Sequence, residues 1–68
     1  MRDVSIRDDT IRLGQLLKLA GVVGSGGEAR ALIEEGAVRV NGDVEKRRGR
    51  QLQRGEVVAL GGEELRIA

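Results

Sequence analysis

Two stretches of this 68-residue chain carry residues suited to holding an anion. Ser25-Gly26-Gly27-Glu28 has the S-x-x-E spacing of a capping box and so predicts the start of a helix. The first turn of a helix leaves backbone N–H groups unpaired and carries about half a positive charge, which suits a phosphate. Glycine costs a helix about 1 kcal/mol relative to alanine, so Gly26 and Gly27 invite a reason beyond helix formation, and close backbone approach to a ligand is one. The plainer reading is that Ser25 and Glu28 only cap the helix and the glycines only make a tight turn into it. The second stretch is Lys46, Arg47, Arg48, Gly49, Arg50, which with Arg54 gives five basic residues and no acid. Arginine dominates there, and its planar guanidinium matches phosphate oxygens in a two-point manner that an ammonium does not. Gly49 lets the backbone bend so that Arg48 and Arg50 can face one groove. An ordinary solvated loop is the alternative. Lys18 and Arg30 lie off the apolar stripes of their helices and can flank the phosphate position or serve as plain helix surface.

Composition narrows the chemistry further. There is no histidine and no cysteine, which removes the usual general base at neutral pH, disulfides and the common zinc ligands. Neither a metal nor a cofactor is expected, and Glu34-Glu35 point in different directions on a helix with no nucleophile near, so the reading is non-enzymatic. The net charge of +1 hides a division, because the acids gather at Asp8-Asp9, Glu34-Glu35 and Glu63-Glu64, away from the basic run. One side of the molecule should therefore attract a polyanion. The absence of Phe, Tyr and Trp argues against a single strand held by base stacking and favours a folded RNA gripped through its phosphates. No apolar run is long enough to span a bilayer, and the opening MRDVSIRDD lacks the apolar stretch of a signal peptide, so a cytoplasmic protein with no membrane partner and no small-molecule substrate is expected.

Gly24-Ser25-Gly26-Gly27-Glu28-Ala29 also matches G-x-G-x-x-G/A, with Glu45 at a tempting distance downstream. That dinucleotide fingerprint needs a preceding parallel strand and a crossover unit, whereas the pattern before it here is helical.

These residues must be positioned by short elements. Leu13, Leu16, Leu17 and Ala20 follow the i, i+3, i+4, i+7 spacing of a helix face, with Asp9 or Thr10 as the expected N-cap and Gly21 as the stop. Ala29, Leu32 and Ile33 give the second helix, which ends at Gly36. Val38 and Val40 alternate with polar residues before Asn41-Gly42, the pair that two-residue hairpin turns prefer, and Val44 returns as a strand. Leu52 precedes a turn at Arg54-Gly55; Val57, Val58 and Leu60 form a strand, Gly61-Gly62 turns, and Leu65 and Ile67 form the last strand. Val4 to Ile6 can add an edge strand. A chain this short makes one domain, here residues 1–68, of α+β class: two short helices packed on a small, mainly antiparallel sheet with an aliphatic core.

The segment that runs from RLGQLLKLAGVVGSGGEAR through EGAVRVNG to RGEVV resembles the RNA-binding domain named for small-subunit ribosomal protein S-four, the α-L motif, over about residues 11–60. The combination of SGGEA with RRGR is most similar to the short stand-alone bacterial members linked to ribosome assembly. The resemblance implies a module that binds structured RNA, with ribosomal RNA as the expected target; a monomer is expected. It also implies an RNA face comprising Lys18, Ser25, Gly26, Gly27, Arg30, Asn41 and the loop Lys46, Arg47, Arg48, Arg50. Many members read R-L-D-K and S-R where this chain has Arg12-Leu13-Gly14-Gln15 and Ser25-Gly26. That departure shifts the expected weight onto the amides of Gly26 and Gly27 and onto Arg47, Arg48 and Arg50. The rival readings are a protein-docking module that uses a strand edge or the acidic helix end, and a duplex-DNA binder that uses the same charges.

Overall fold

The computed structural model describes residues 1–68. In chain order the elements are β1 (Arg2–Val4), β2 (Thr10–Arg12), α1 (Leu13–Leu19), α2 (Gly26–Glu34), β3 (Val38–Val40), β4 (Asp43–Val44), β5 (Gln51–Gln53), β6 (Val57–Leu60) and β7 (Glu63–Ile67). Five strands form a sheet in the order β1-β7-β6-β3-β4, and β2 and β5 form a separate ribbon. All pairings are antiparallel except β1 with β7, so the sheet is mainly antiparallel as expected.

Alternation fixes which face of each strand is buried. Val38 and Val40 of β3 point inward while Arg39 points out, and Leu65 and Ile67 of β7 do the same around Arg66. They meet Leu13, Leu16 and Leu17 of α1 and Ala29 and Ile33 of α2 in a core of 14 buried aliphatic residues. Both helices end with the same device. Gly21 N–H donates to Lys18 and Val22 N–H to Leu17, while Gly36 N–H donates to Ile33 and Ala37 N–H to Leu32. At the β3–β4 turn both Asn41 (φ 52°) and Gly42 (φ 91°) are left-handed, which explains the choice of Asn-Gly there.

Three expectations change. The first helix does not begin at an Asp9 or Thr10 cap. Thr10–Arg12 is instead a strand paired with β5, Thr10 opposite Gln53 and Ile11 opposite Leu52, and α1 starts at Leu13 with Arg12 as an N-cap that makes no side-chain cap. The β-branched pair Thr10-Ile11 fits a strand, and the partner β5 supplies what local sequence cannot show. Leu52, read only as preceding a turn, is the buried centre of β5. The edge strand lies two residues earlier than Val4 to Ile6, although Val4 and Ile6 are both buried and the backbone bonds continue from Ala68 N–H to Val4 and from Ile6 N–H to Ala68.

Candidate nucleic-acid interface

The start of α1 lacks a side-chain cap because the basic loop supplies its hydrogen-bond acceptors. Leu13 N–H donates to the Arg50 carbonyl at 2.9 Å and Gly14 N–H to the Arg48 carbonyl at 3.1 Å. The loop is thereby laid across the beginning of the helix. Gly14 makes this close approach possible: a Cβ there would lie 3.0 Å from Arg48 Cγ. The Arg48 stem occupies the space that a side chain at position 14 would take.

The start of α2 is built as the capping box predicts, with one shift. Ser25 Oγ accepts from Glu28 N–H at 3.1 Å, while the Glu28 carboxylate reaches back to Gly24 N–H at 3.2 Å, one residue earlier than the usual partner. Gly26 and Gly27 have no N–H partner within the protein. Neither has positive φ, and a Cβ would meet nothing within 4 Å at Gly26 and only Ser25 Oγ, at 3.9 Å, at Gly27. No packing or backbone requirement of the fold accounts for glycine at either place.

Between these two structures lies a cleft of about 240 Å³, lined by Arg12, Gly14, Gln15, Lys18, Gly26, Ala29 and Arg48. Three of its seven residues are cations and none is an acid. Arg12, Lys18 and Arg48 are all exposed, and none forms a salt bridge within the protein. Three like charges with no counter-ion around open backbone amides make a local positive potential that a phosphate would relieve.

The rest of the basic loop is arranged differently. Glu45, whose side chain is only 8% exposed, accepts from Arg47 Nε at 3.0 Å, Arg47 Nη2 at 3.1 Å, Arg47 N–H at 3.1 Å and Arg50 Nη1 at 3.0 Å. Arg50 Nη2 also donates to Glu56 at 3.3 Å. These bonds, from Arg47 first and Arg50 second, outweigh burial and hold the Glu45 carboxyl down to about 2; Arg47 is raised in turn. Glu56 extends the knot by accepting from Gln53 N–H and from Asn41 Nδ2, and Asn41 Oδ1 accepts from Val57 N–H.

Of the residues singled out in the sequence, Lys18, Gly26 and Arg48 line the cleft, and Ser25 and Gly27 adjoin it in the chain. The others stand apart from its lining. Arg47 and Arg50 are tied to Glu45, Arg30 is paired with Glu34 at 3.1 Å one helical turn on, and Asn41 is engaged at the hairpin turn. Lys46 is exposed, with its stem over Gly36. Arg54, the last of the basic run, reaches back to the Ile6 carbonyl and Asp9. Four cleft residues, Arg12, Gly14, Gln15 and Ala29, were not among the candidates: the helix was expected to begin earlier and to present a different first turn, and Ala29 was read only as part of the apolar face of the second helix. Glu45, considered only as the acid of a dinucleotide site, is instead the buried centre of the ion-pair knot. That alternative fails structurally as well, because α1 and a turn precede the glycines where the fingerprint needs a strand.

Comparison with known proteins agrees with this architecture. The family model described as S4 domain matches residues 4–68. The chain is 48% identical over 59 residues to the protein named "Probable ribosome maturation protein RlbA" of Bacillus subtilis, covering 87% of this chain and 83% of that one. It is 41% identical over 58 residues to the tyrosine–tRNA ligase of Aromatoleum aromaticum, but the match spans only 14% of that enzyme and so marks a shared region. The solution structure of YbcJ from Escherichia coli, described as having an αL motif involved in RNA binding, superposes with a TM-score of 0.76 at 33% identity, over 100% of this chain and 87% of that one. The chain belongs to the S4 domain family, and its two helices and mainly antiparallel sheet are the α-L fold expected from SGGEAR and EGAVRVNG.

Proposed function

We propose that this S4 domain is a non-enzymatic module that binds structured RNA, ribosomal RNA during ribosome assembly, through phosphates seated in the cleft between α1, the start of α2 and Arg48. One observation carries the reading: Arg12, Lys18 and Arg48 converge without counter-ions beside the unpartnered amide of Gly26. RNA binding by YbcJ and the ribosome-maturation name of RlbA support the choice of RNA and of the ribosome. The chain has no aromatic ring on which to stack a base, so affinity comes mainly from charge and from the shape of a folded RNA. Arg47, exposed though paired, and Lys46 lie outside the cleft lining and add secondary contacts, while Arg50, Arg30 and Asn41 contribute chiefly by shaping the protein.

Such binding weakens steeply with salt, each phosphate contact adding somewhat less than one unit to the slope of log affinity against log salt. Replacing Arg12, Lys18 and Arg48 together by alanine should reduce that slope by up to about three units, measured by fluorescence titration of a folded RNA over a range of salt. An unchanged slope would remove the cleft from the interface. Crosslinking in cells followed by sequencing of the attached RNA tests the ribosomal assignment, which predicts enrichment of ribosomal RNA precursors over messenger RNA.

A further inference from the structure

The cleft contains one side-chain acceptor that phosphate binding does not use. The Gln15 side chain is exposed, lies in the cleft lining between Gly14 and Lys18, and makes no hydrogen bond within the protein. It has no capping task, because the first amides of α1 already donate to the Arg50 and Arg48 carbonyls. The other polar side chains of the lining are cations that can only donate, whereas the Gln15 amide both donates and accepts. Its Oε1 is thus the sole side-chain acceptor in the cleft.

A phosphate, which offers only acceptors, is served by Arg12, Lys18 and Arg48 and gives Gln15 Oε1 nothing to bind. The group of a nucleic-acid backbone that donates a hydrogen bond is the ribose 2′-hydroxyl, and it is absent from DNA. A cleft of about 240 Å³ exceeds several times the roughly 30 Å³ that one water occupies in the liquid, so it has room for more than a single polar group. With no aromatic residue on which to stack a base, contacts to the sugar–phosphate backbone carry the recognition, and the 2′-hydroxyl is the backbone group that differs between RNA and DNA. Resting on the RNA reading above, we propose that Gln15 is the specificity-determining residue of the cleft, accepting a hydrogen bond from a 2′-hydroxyl adjoining the phosphate held by Arg12, Lys18 and Arg48.

The test uses the full chain, wild type and Gln15→Met, which keeps the length and helix preference of the side chain and removes both hydrogen-bonding groups. Each protein is titrated with an RNA stem–loop and with versions carrying deoxyribose at successive single positions, so that the A-form shape is kept while one hydroxyl is removed. The expected result is that wild type loses about three- to tenfold in affinity at one or a few positions, and that Gln15→Met binds the unmodified RNA that much more weakly and is indifferent to those same positions. The assignment is overturned if no position matters to wild type, or if the sensitive positions remain sensitive in Gln15→Met. A wild type whose binding is steeply salt-dependent but indifferent to every deoxyribose defeats only the Gln15 assignment; a wild type that binds no stem–loop defeats the RNA reading with it.

Discussion

Arg47 and Arg48 are neighbours in one loop and carry the same group, yet the fold uses them in opposite ways. Arg47 is locked through two guanidinium nitrogens to the carboxylate of Glu45, which is itself buried and shared with Arg50. Arg48 has no acidic partner and lies across Gly14 into the cleft with Arg12 and Lys18. In the first region charge holds the loop in shape, and in the second it is left without a counter-ion. A count of basic residues along the chain treats the two alike; the position of one carboxylate separates them.

The largest effect should come from reversing the charge of the open region. Gly26 faces free space, so Gly26→Glu can be accommodated by the fold while placing a carboxylate in the cleft. RNA affinity should fall on the order of a hundredfold with little change in thermal midpoint, as like charges in an interface cost several kcal/mol. Binding that survives in a folded Gly26→Glu protein would show that the start of α2 lies outside the interface.

Next in size is the opening of the knot. Glu45→Gln removes charge-assisted bonds to two arginines and should lower unfolding free energy by about 2 kcal/mol in denaturant titration. It should also steepen the salt slope of RNA binding by up to about one unit, because charge on the Arg47 side is released. The carboxyl titrates near 2 in the folded chain and near its ordinary 4.5 in the unfolded one. Its contribution is therefore complete above about pH 4.5 and is lost as pH falls from there toward 2. Stability of wild type should fall through that window more steeply than stability of Glu45→Gln, and parallel pH profiles would assign the acid sensitivity to other carboxylates.

A smaller effect is expected at the contact between α1 and the loop. Gly14→Ala introduces a Cβ at 3.0 Å from Arg48 Cγ, which a flexible side chain can relieve by moving. Displacement of Arg48 should weaken RNA binding about threefold, and the gain in helix preference, at most about 1 kcal/mol, offsets the crowding so that unfolding free energy changes little. Unchanged binding in a folded Gly14→Ala protein would contradict the idea that Gly14 makes room for Arg48.

Much of this was legible in the sequence. Helix faces, the Asn41-Gly42 hairpin, the Ser25–Glu28 cap and the aliphatic core all follow from local spacing, and each appears where its residues place it. Misread features depend on partners distant in sequence. Thr10–Arg12 looked like the approach to a helix because nothing near it reveals β5, some forty residues away. The same pairing brings the loop carbonyls onto α1 and so draws Arg12, Gly14 and Gln15 into the cleft. Glu45 was equally opaque, since a lone acid beside a basic run does not disclose that it is buried and shared between two arginines.

The contrast between the two neighbouring arginines is tested most directly by measuring the salt slope of RNA affinity for wild type, Arg47→Ala and Arg48→Ala side by side. Arg48→Ala should lower the slope by close to one unit, whereas Arg47→Ala should lower it by clearly less, because its charge is already balanced by Glu45. Equal reductions, or a larger one for Arg47→Ala, would contradict the division between a charge that shapes the loop and a charge left for RNA.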